Sequence, residues 1–200
     1  MHEKEPEDNE HQDNQEQRER ERKAQPRIYV ASLADYNEGR LHGTWIDANQ
    51  DEDELDRAIK EMLARSPSPG AEEWAIHDYD DFGPLRLDEF ESLAAVAKIA
   101  KGIGEHGPAF AAWAAHVGTD SEALDEFEDA YMGEWDSATA FAEEMLEDMG
   151  HIEEIMRSVP EHLVPYVQID YEGFVRDLVR NGELATLEKP DGGVYVFRNW

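Results

Sequence analysis

Apolar positions after Pro26 follow two periods. Over Arg27-Ile28-Tyr29-Val30-Ala31-Ser32-Leu33 an alternation rich in β-branched and aromatic residues predicts a strand. The polar, glycine-ended Asp35-Tyr36-Asn37-Glu38-Gly39 predicts the turn into a second strand near Leu41 to Ile46. The period then lengthens: Leu55, Ile59, Met62 and Leu63 form one helical face behind Asn49 or Asp51 as cap. Ser66-Pro67-Ser68-Pro69-Gly70 stops that helix before a third strand around Trp74, Ala75 and Ile76. These elements predict a small α+β domain.

From Asp88 to Gly118 the spacing is three and four, with Phe90, Leu93, Val96, Ala97 and Ala100, then Phe110, Trp113, Ala114 and Val117. Two helices joined by a glycine-rich turn are expected. Thr119-Asp120-Ser121-Glu122 has the form of a capping box and opens a helix through Leu124, Phe127 and Tyr131. Ser137 caps the next, through Phe141, Met145 and Leu146. Asp170 caps a last helix through Phe174, Leu178 and Val179. After Asn181-Gly182, the runs Leu184 to Leu187 and Val194 to Phe197 flank Pro190-Asp191-Gly192-Gly193 as a hairpin. The fold class expected is α+β, in four stretches: a disordered polar tail (1–26), an N-terminal α+β domain (27–87), a helical middle domain (88–134) and a C-terminal α+β domain (135–200).

Charge changes this picture. The chain has 48 acids against 18 bases, a net charge of −30. Nucleic-acid phosphate and anionic membrane surfaces would repel it, so neither is expected as a direct partner, and basic surfaces are. Residues 2–25 hold nine acids and five bases, so the acidity resides in the folded body. Between Gly102 and Met156 lie 15 acids and no Lys or Arg. A helix that omits bases forgoes i,i+4 attraction and accumulates repulsion, which points to a purpose other than folding. No cysteine is present, which removes disulfides and thiolate chemistry. The polar, acidic residues Met1 to Glu10 lack a secretory pattern, so a cytoplasmic location is expected.

Catalytic and cofactor motifs are weak. Gly102-Ile103-Gly104-Glu105-His106-Gly107 matches the dinucleotide pattern, yet it follows a helical stretch and opens the base-free segment, so it is read as a helix-terminating turn. Asp47, Asn49, Asp51 and Asp53 resemble a calcium loop, but Glu52 stands where glycine is needed and Ala58 where a bidentate Glu is needed. The eight histidines lack zinc-protease spacing, and pairs such as Glu143 and Glu144 arise by chance in so acidic a chain. No catalytic residue, cofactor or metal is expected, and the protein is read as a non-enzyme.

Fourteen acids fall in the 35 residues from Asp120 to Glu154. If helical at about 1.5 Å per residue, this contour of roughly 52 Å carries a charge every ~4 Å, close to the ~3.4 Å phosphate spacing of one DNA strand. A groove built for DNA would accept such a surface. A salt-adapted protein would spread its acids evenly, and an acidic adaptor or chaperone of basic DNA-binding proteins is the reading from another class.

Specific residues then point to a family. Ile28-Tyr29-Val30-Ala31-Ser32-Leu33 with Tyr36-Asn37-Glu38-Gly39, Gly43 and Trp45 resemble the start of the ArdA antirestriction proteins. Glu73-Trp74-Ala75-Ile76-His77-Asp78-Tyr79 is similar to a second block of that family, and Ile169-Asp170-Tyr171-Glu172-Gly173-Phe174-Val175-Arg176-Asp177-Leu178 to its C-terminal signature. The resemblance implies a mimic of bent B-form DNA that occupies the DNA groove of type I restriction-modification enzymes and so protects incoming mobile DNA. It also implies three small domains in line, paired as an elongated homodimer through the C-terminal domain. The family's antirestriction motif carries over onto Ala138, Phe141, Glu143 and Glu144, with Leu146 continuing the helix. Phe141 and Leu146 are assigned to packing or pairing, and Glu143 and Glu144 to the mimic surface or to dimer geometry. The carboxylates expected to replace phosphates are Asp51, Glu52 and Asp53; Asp120, Glu122, Asp125, Glu126, Glu128 and Asp129; and Glu134, Asp136, Glu143, Glu144, Glu147, Asp148, Glu153 and Glu154.

Overall fold

The computed structural model describes residues 24–199, so the expected tail lies outside the described residues except for its last three positions. Mixed helices and two small antiparallel sheets make the fold α+β. The chain divides into two compact units at Ala111/Ala112.

In the first unit, β1 (Arg27–Ser32) is the centre of a sheet ordered β2-β1-β3, with β2 (Gly43–Asp47) and β3 (Trp74–Asp80) antiparallel to it. Alternation puts Ile28, Val30 and Ile46 on the buried face, where α2 (Glu52–Leu63) applies Leu55, Ile59 and Met62, each at most 5% exposed. Gly43 pairs with Ala31, and a Cβ there would stand 2.8 Å from the Tyr29 ring, so the strand has no room for a larger residue. Opposite β3 the register shifts between Tyr29 and Val30, a bulge that absorbs His77.

The expected turn at Asp35 to Gly39 begins as a helical turn, α1 (Leu33–Asn37), capped by Ser32. Its Asp35 is fully buried, a role that polarity alone did not suggest. Its carboxylate accepts hydrogen bonds from Ser66 Oγ (2.5 Å), Ser68 Oγ (2.7 Å) and Arg40 Nε (3.3 Å). Burial alone would raise its pKa, but the hydroxyls of Ser66, Ser68 and Ser32, followed by Arg40, outweigh burial and hold it well below the ordinary carboxylate value. The Ser-Pro loop read as a helix stop is thus also the lid of a buried charge.

Next come α3 (Leu93–His106), capped by Ser92, and α4 (Pro108–Val117). Gly102 and Gly104, expected in the turn, lie inside α3. The break falls at Gly107, which has φ +67°. The Phe110 ring occupies the space a side chain at Gly102 would need, and Asn49 that at Gly104, so these two glycines serve close contact instead of a turn.

The second unit begins with the rest of α4 and two short helices, α5 (Ser121–Asp125) and α6 (Phe127–Ala130). Asp120 is the cap of α5, accepting from the Glu122 and Ala123 amides, where the expected box had centred on Thr119. The helix expected through Tyr131 stops at Ala130. Tyr131–Trp135 instead form β4, which straddles the 134/135 boundary drawn from the sequence. Leu124 and Phe127 are buried and Tyr131 half-buried, which gives the three their helical spacing, but β4 supplies backbone partners to one edge of the final hairpin, in the order β4-β6-β5. That hairpin is β5 (Leu184–Glu188) and β6 (Val194–Arg198), as expected. Trp113, Phe127 and Tyr131 surround Phe197 at ring separations of 4.9, 5.9 and 5.4 Å. On the other side Phe141 of α7 (Ala138–Asp148) joins Leu184 and Val196 in a buried cluster. Helix α8 (His151–Ser158), a 3-10 segment (Glu161–Tyr166) and α9 (Tyr171–Arg180), capped by Asp170 on the Gly173 amide, complete the unit.

Candidate functional site

All seventeen carboxylates singled out from the sequence are exposed. They differ in what holds them. Asp51 caps α2 and Glu52 and Asp53 fill its first turn, where the helix macrodipole attracts negative charge. Asp51 also pairs with Lys101, so this group has local structural reasons to be acidic.

The remaining fourteen belong to the second unit. Glu122, Asp125, Glu126, Glu128 and Asp129 line α5 and α6 around buried Leu124 and Phe127. Glu134 of β4 is not uncompensated as the base-free segment suggested. Lys189 reaches it at 2.9 Å, and the hydrogen bond with Glu134 is the main reason the Lys189 pKa is raised. Its partner lies 55 positions along the chain, beyond the reach of local charge counting. Glu153 is bridged by Arg157 one helical turn later, at 2.7 Å.

Helix α7 is different. Phe141 and Ala142 are buried and Met145 and Leu146 half-buried, so at 3.6 residues per turn Glu143, Glu144, Glu147 and Asp148 share the opposite face. The pairs Glu143/Glu147 and Glu144/Asp148 are i,i+4 like charges, which repel. The helix has no acid in its first turn and no base in its last, so Glu147 and Asp148 stand at the negative end of its dipole. Among the described residues no ion pair involves these four carboxylates. The Tyr171 phenol at the start of α9 registers their field: burial first, then Glu143 and Glu147, push its pKa upward.

Of the motif residues, Ala138 opens α7 half-buried. Phe141 is 3% exposed, with its ring edge-on to Trp135 at 5.4 Å. Leu146 lines an apolar groove of about 540 Å³ with Met132, Met145, Met149, Phe174 and Leu178. Met149, 59% exposed, continues that apolar surface outward, and its spacing of four from Met145 and three from Leu146 is the signal that places it there.

The ribbon is not one rod. It is broken among α5, α6, β4, α7 and α8, so the estimate from a continuous helical contour does not describe it, while the exposure of its carboxylates does. No group of three or more His, Cys, Asp or Glu able to hold a metal occurs among the described residues, and none of their helices is long and apolar enough to cross a membrane.

The family described as antirestriction protein (ArdA) matches residues 28–190. No curated protein matches the chain.

Proposed function

The chain belongs to the ArdA family of antirestriction proteins, and from that premise we propose that it inhibits type I restriction-modification enzymes by presenting its carboxylates in place of DNA phosphates. The family is one of antirestriction proteins, not of enzymes, and its activity implies interaction with restriction enzymes. Occupation of the DNA groove is the finer reading, and α7 is the observation that supports it. Four exposed carboxylates stand there against the local electrostatics of their own helix, with no base bridged to them among the described residues. Folding gains nothing from that arrangement, whereas a Lys- and Arg-lined groove does.

The target would be steered in by long-range attraction that salt weakens. The apolar groove beside Leu146, with exposed Met149, is the face we assign to homodimer pairing. Phe141 then serves the core, and Glu143 and Glu144 remain outward for the target. The test is titration of a purified type I enzyme with cleavage and methylation both followed and duplex DNA as competitor. Inhibition that duplex DNA relieves supports groove occupation. Inhibition indifferent to DNA, or binding to basic proteins without a DNA groove, supports an adaptor instead.

A further inference from the structure

Phe90 is 70% exposed and flanked by acids, in the segment Asp88-Glu89-Phe90-Glu91 of the first unit. A Phe held in water is costly where any polar residue would serve. Its loop is fixed on both sides: Glu89 O accepts from the Ile76 amide of β3 at 2.8 Å, and Ser92 caps α3. With half-buried Trp74 it forms a groove of about 400 Å³, and Glu73 O across it accepts from the Leu33 amide at 3.0 Å. Glu72, Glu73 and Glu91 line the same groove, and among the described residues no Lys or Arg does.

An aromatic slot rimmed by carboxylates matches a planar, weakly hydrated cation whose face can lie on a ring while its edge donates to oxygens. The protein already builds this arrangement internally, with the Arg27 guanidinium 4.7 Å above the Trp45 ring and 2.8 Å from Asp80. We propose that the groove between Trp74 and Phe90 receives an arginine side chain from a basic protein segment. Lysine fits less well, because a compact ammonium keeps its water and cannot present a flat face. This inference rests on the antirestriction reading only for who supplies the arginine, since a groove made for DNA carries such residues.

The probe is an acetylated, amidated tri-arginine peptide titrated into the full chain by NMR, with tri-lysine alongside. Arginine should perturb the Trp74 indole and Phe90 ring, and Phe90→Leu, which retains apolar bulk without a π face, should weaken that perturbation roughly threefold to tenfold. Glu72→Gln, on the opposite rim, should weaken it less and serves as a second variant. Shifts confined to Glu143–Asp148, equal binding of tri-lysine, or a Phe90→Leu variant within twofold of the parent would each overturn the proposal. Restriction inhibition is measured on the same samples. A parent chain that does not inhibit, yet loses arginine binding with Phe90→Leu, sinks the functional reading and leaves the groove standing. An inhibitory chain whose Phe90→Leu variant binds arginine unchanged does the reverse.

Discussion

Helices α2 and α7 use the same residue types in opposite ways. In α2 the acids crowd the first turn, Lys60 occupies the last, and Lys60 bridges Asp56 one turn back. The first-turn acids and Lys60 lower the energy of the helix they sit on, and Glu61 in the last turn is the exception. In α7 the first turn has no acid, the second half carries four, and no base closes the end. The apolar faces are equally orthodox, with Leu55 and Ile59 buried in one and Phe141 and Ala142 in the other. Burial accounts for both helices and charge placement for most of one, so the acids of α7 are those we propose a target reads, and acidity by itself does not mark a functional surface.

The strongest way to break this comparison is to attack what the helices share. Leu55→Ala and Phe141→Ala should each cost about 2–5 kcal/mol in urea denaturation, and a much smaller value for Phe141 would remove the scaffold from under its acids. Next comes Asp35→Asn, which leaves Ser66, Ser68 and Arg40 facing a neutral group. Asp35 titrates in the folded chain well below its ordinary value of 3.8, so the unfolded chain takes up this proton first. The stability it supplies is therefore intact above about pH 4 and lost as pH falls further. The variant should be less stable than the parent at neutral pH and lose part of the acid-induced decline, as read by melting temperature across pH.

Smaller effects separate the helices directly. Neutralising Asp51, Glu52 and Asp53 to their amides should lower stability by about 1–2 kcal/mol, whereas the same change at Glu143, Glu144, Glu147 and Asp148 should leave it unchanged or raise it by about 1 kcal/mol. Thermal denaturation reports both, and the same sign for both sets would erase the distinction. The least effect is expected for Glu143→Gln alone, on the order of 1 kcal/mol or less in inhibition, because a distributed array loses little per charge. A single change that abolished inhibition in a folded protein would mean one carboxylate dominates.

Much of the fold was legible because its signals are local. β1, the hairpin of β5 and β6, the Ser137 and Asp170 caps and the apolar stripes of α2 and α7 were all written in spacing. What stayed hidden depends on distant partners. Nothing near Tyr131 says that β6 needs an edge, so Tyr131, expected as the end of a helix, opens a strand instead. Asp35 looks like an ordinary turn residue until Ser66 and Ser68, more than thirty positions away, close over it. The exposure of the acids followed from their composition, while the ion pair of Glu134 with Lys189 and the aromatic slot at Phe90 did not, since only folding brings those residues together.

The decisive comparison is the inhibition constant of two amide variants against one type I restriction enzyme at fixed salt: the first turn of α2 neutralised, or the four acids of α7 neutralised. The α7 variant should inhibit tens to hundreds of fold more weakly than the parent, on the order of 2–3 kcal/mol summed over four charges, and the α2 variant only a few fold more weakly. Equal losses, or full inhibition by a folded α7 variant, would contradict the claim that the charges opposing their own helix are those the target reads.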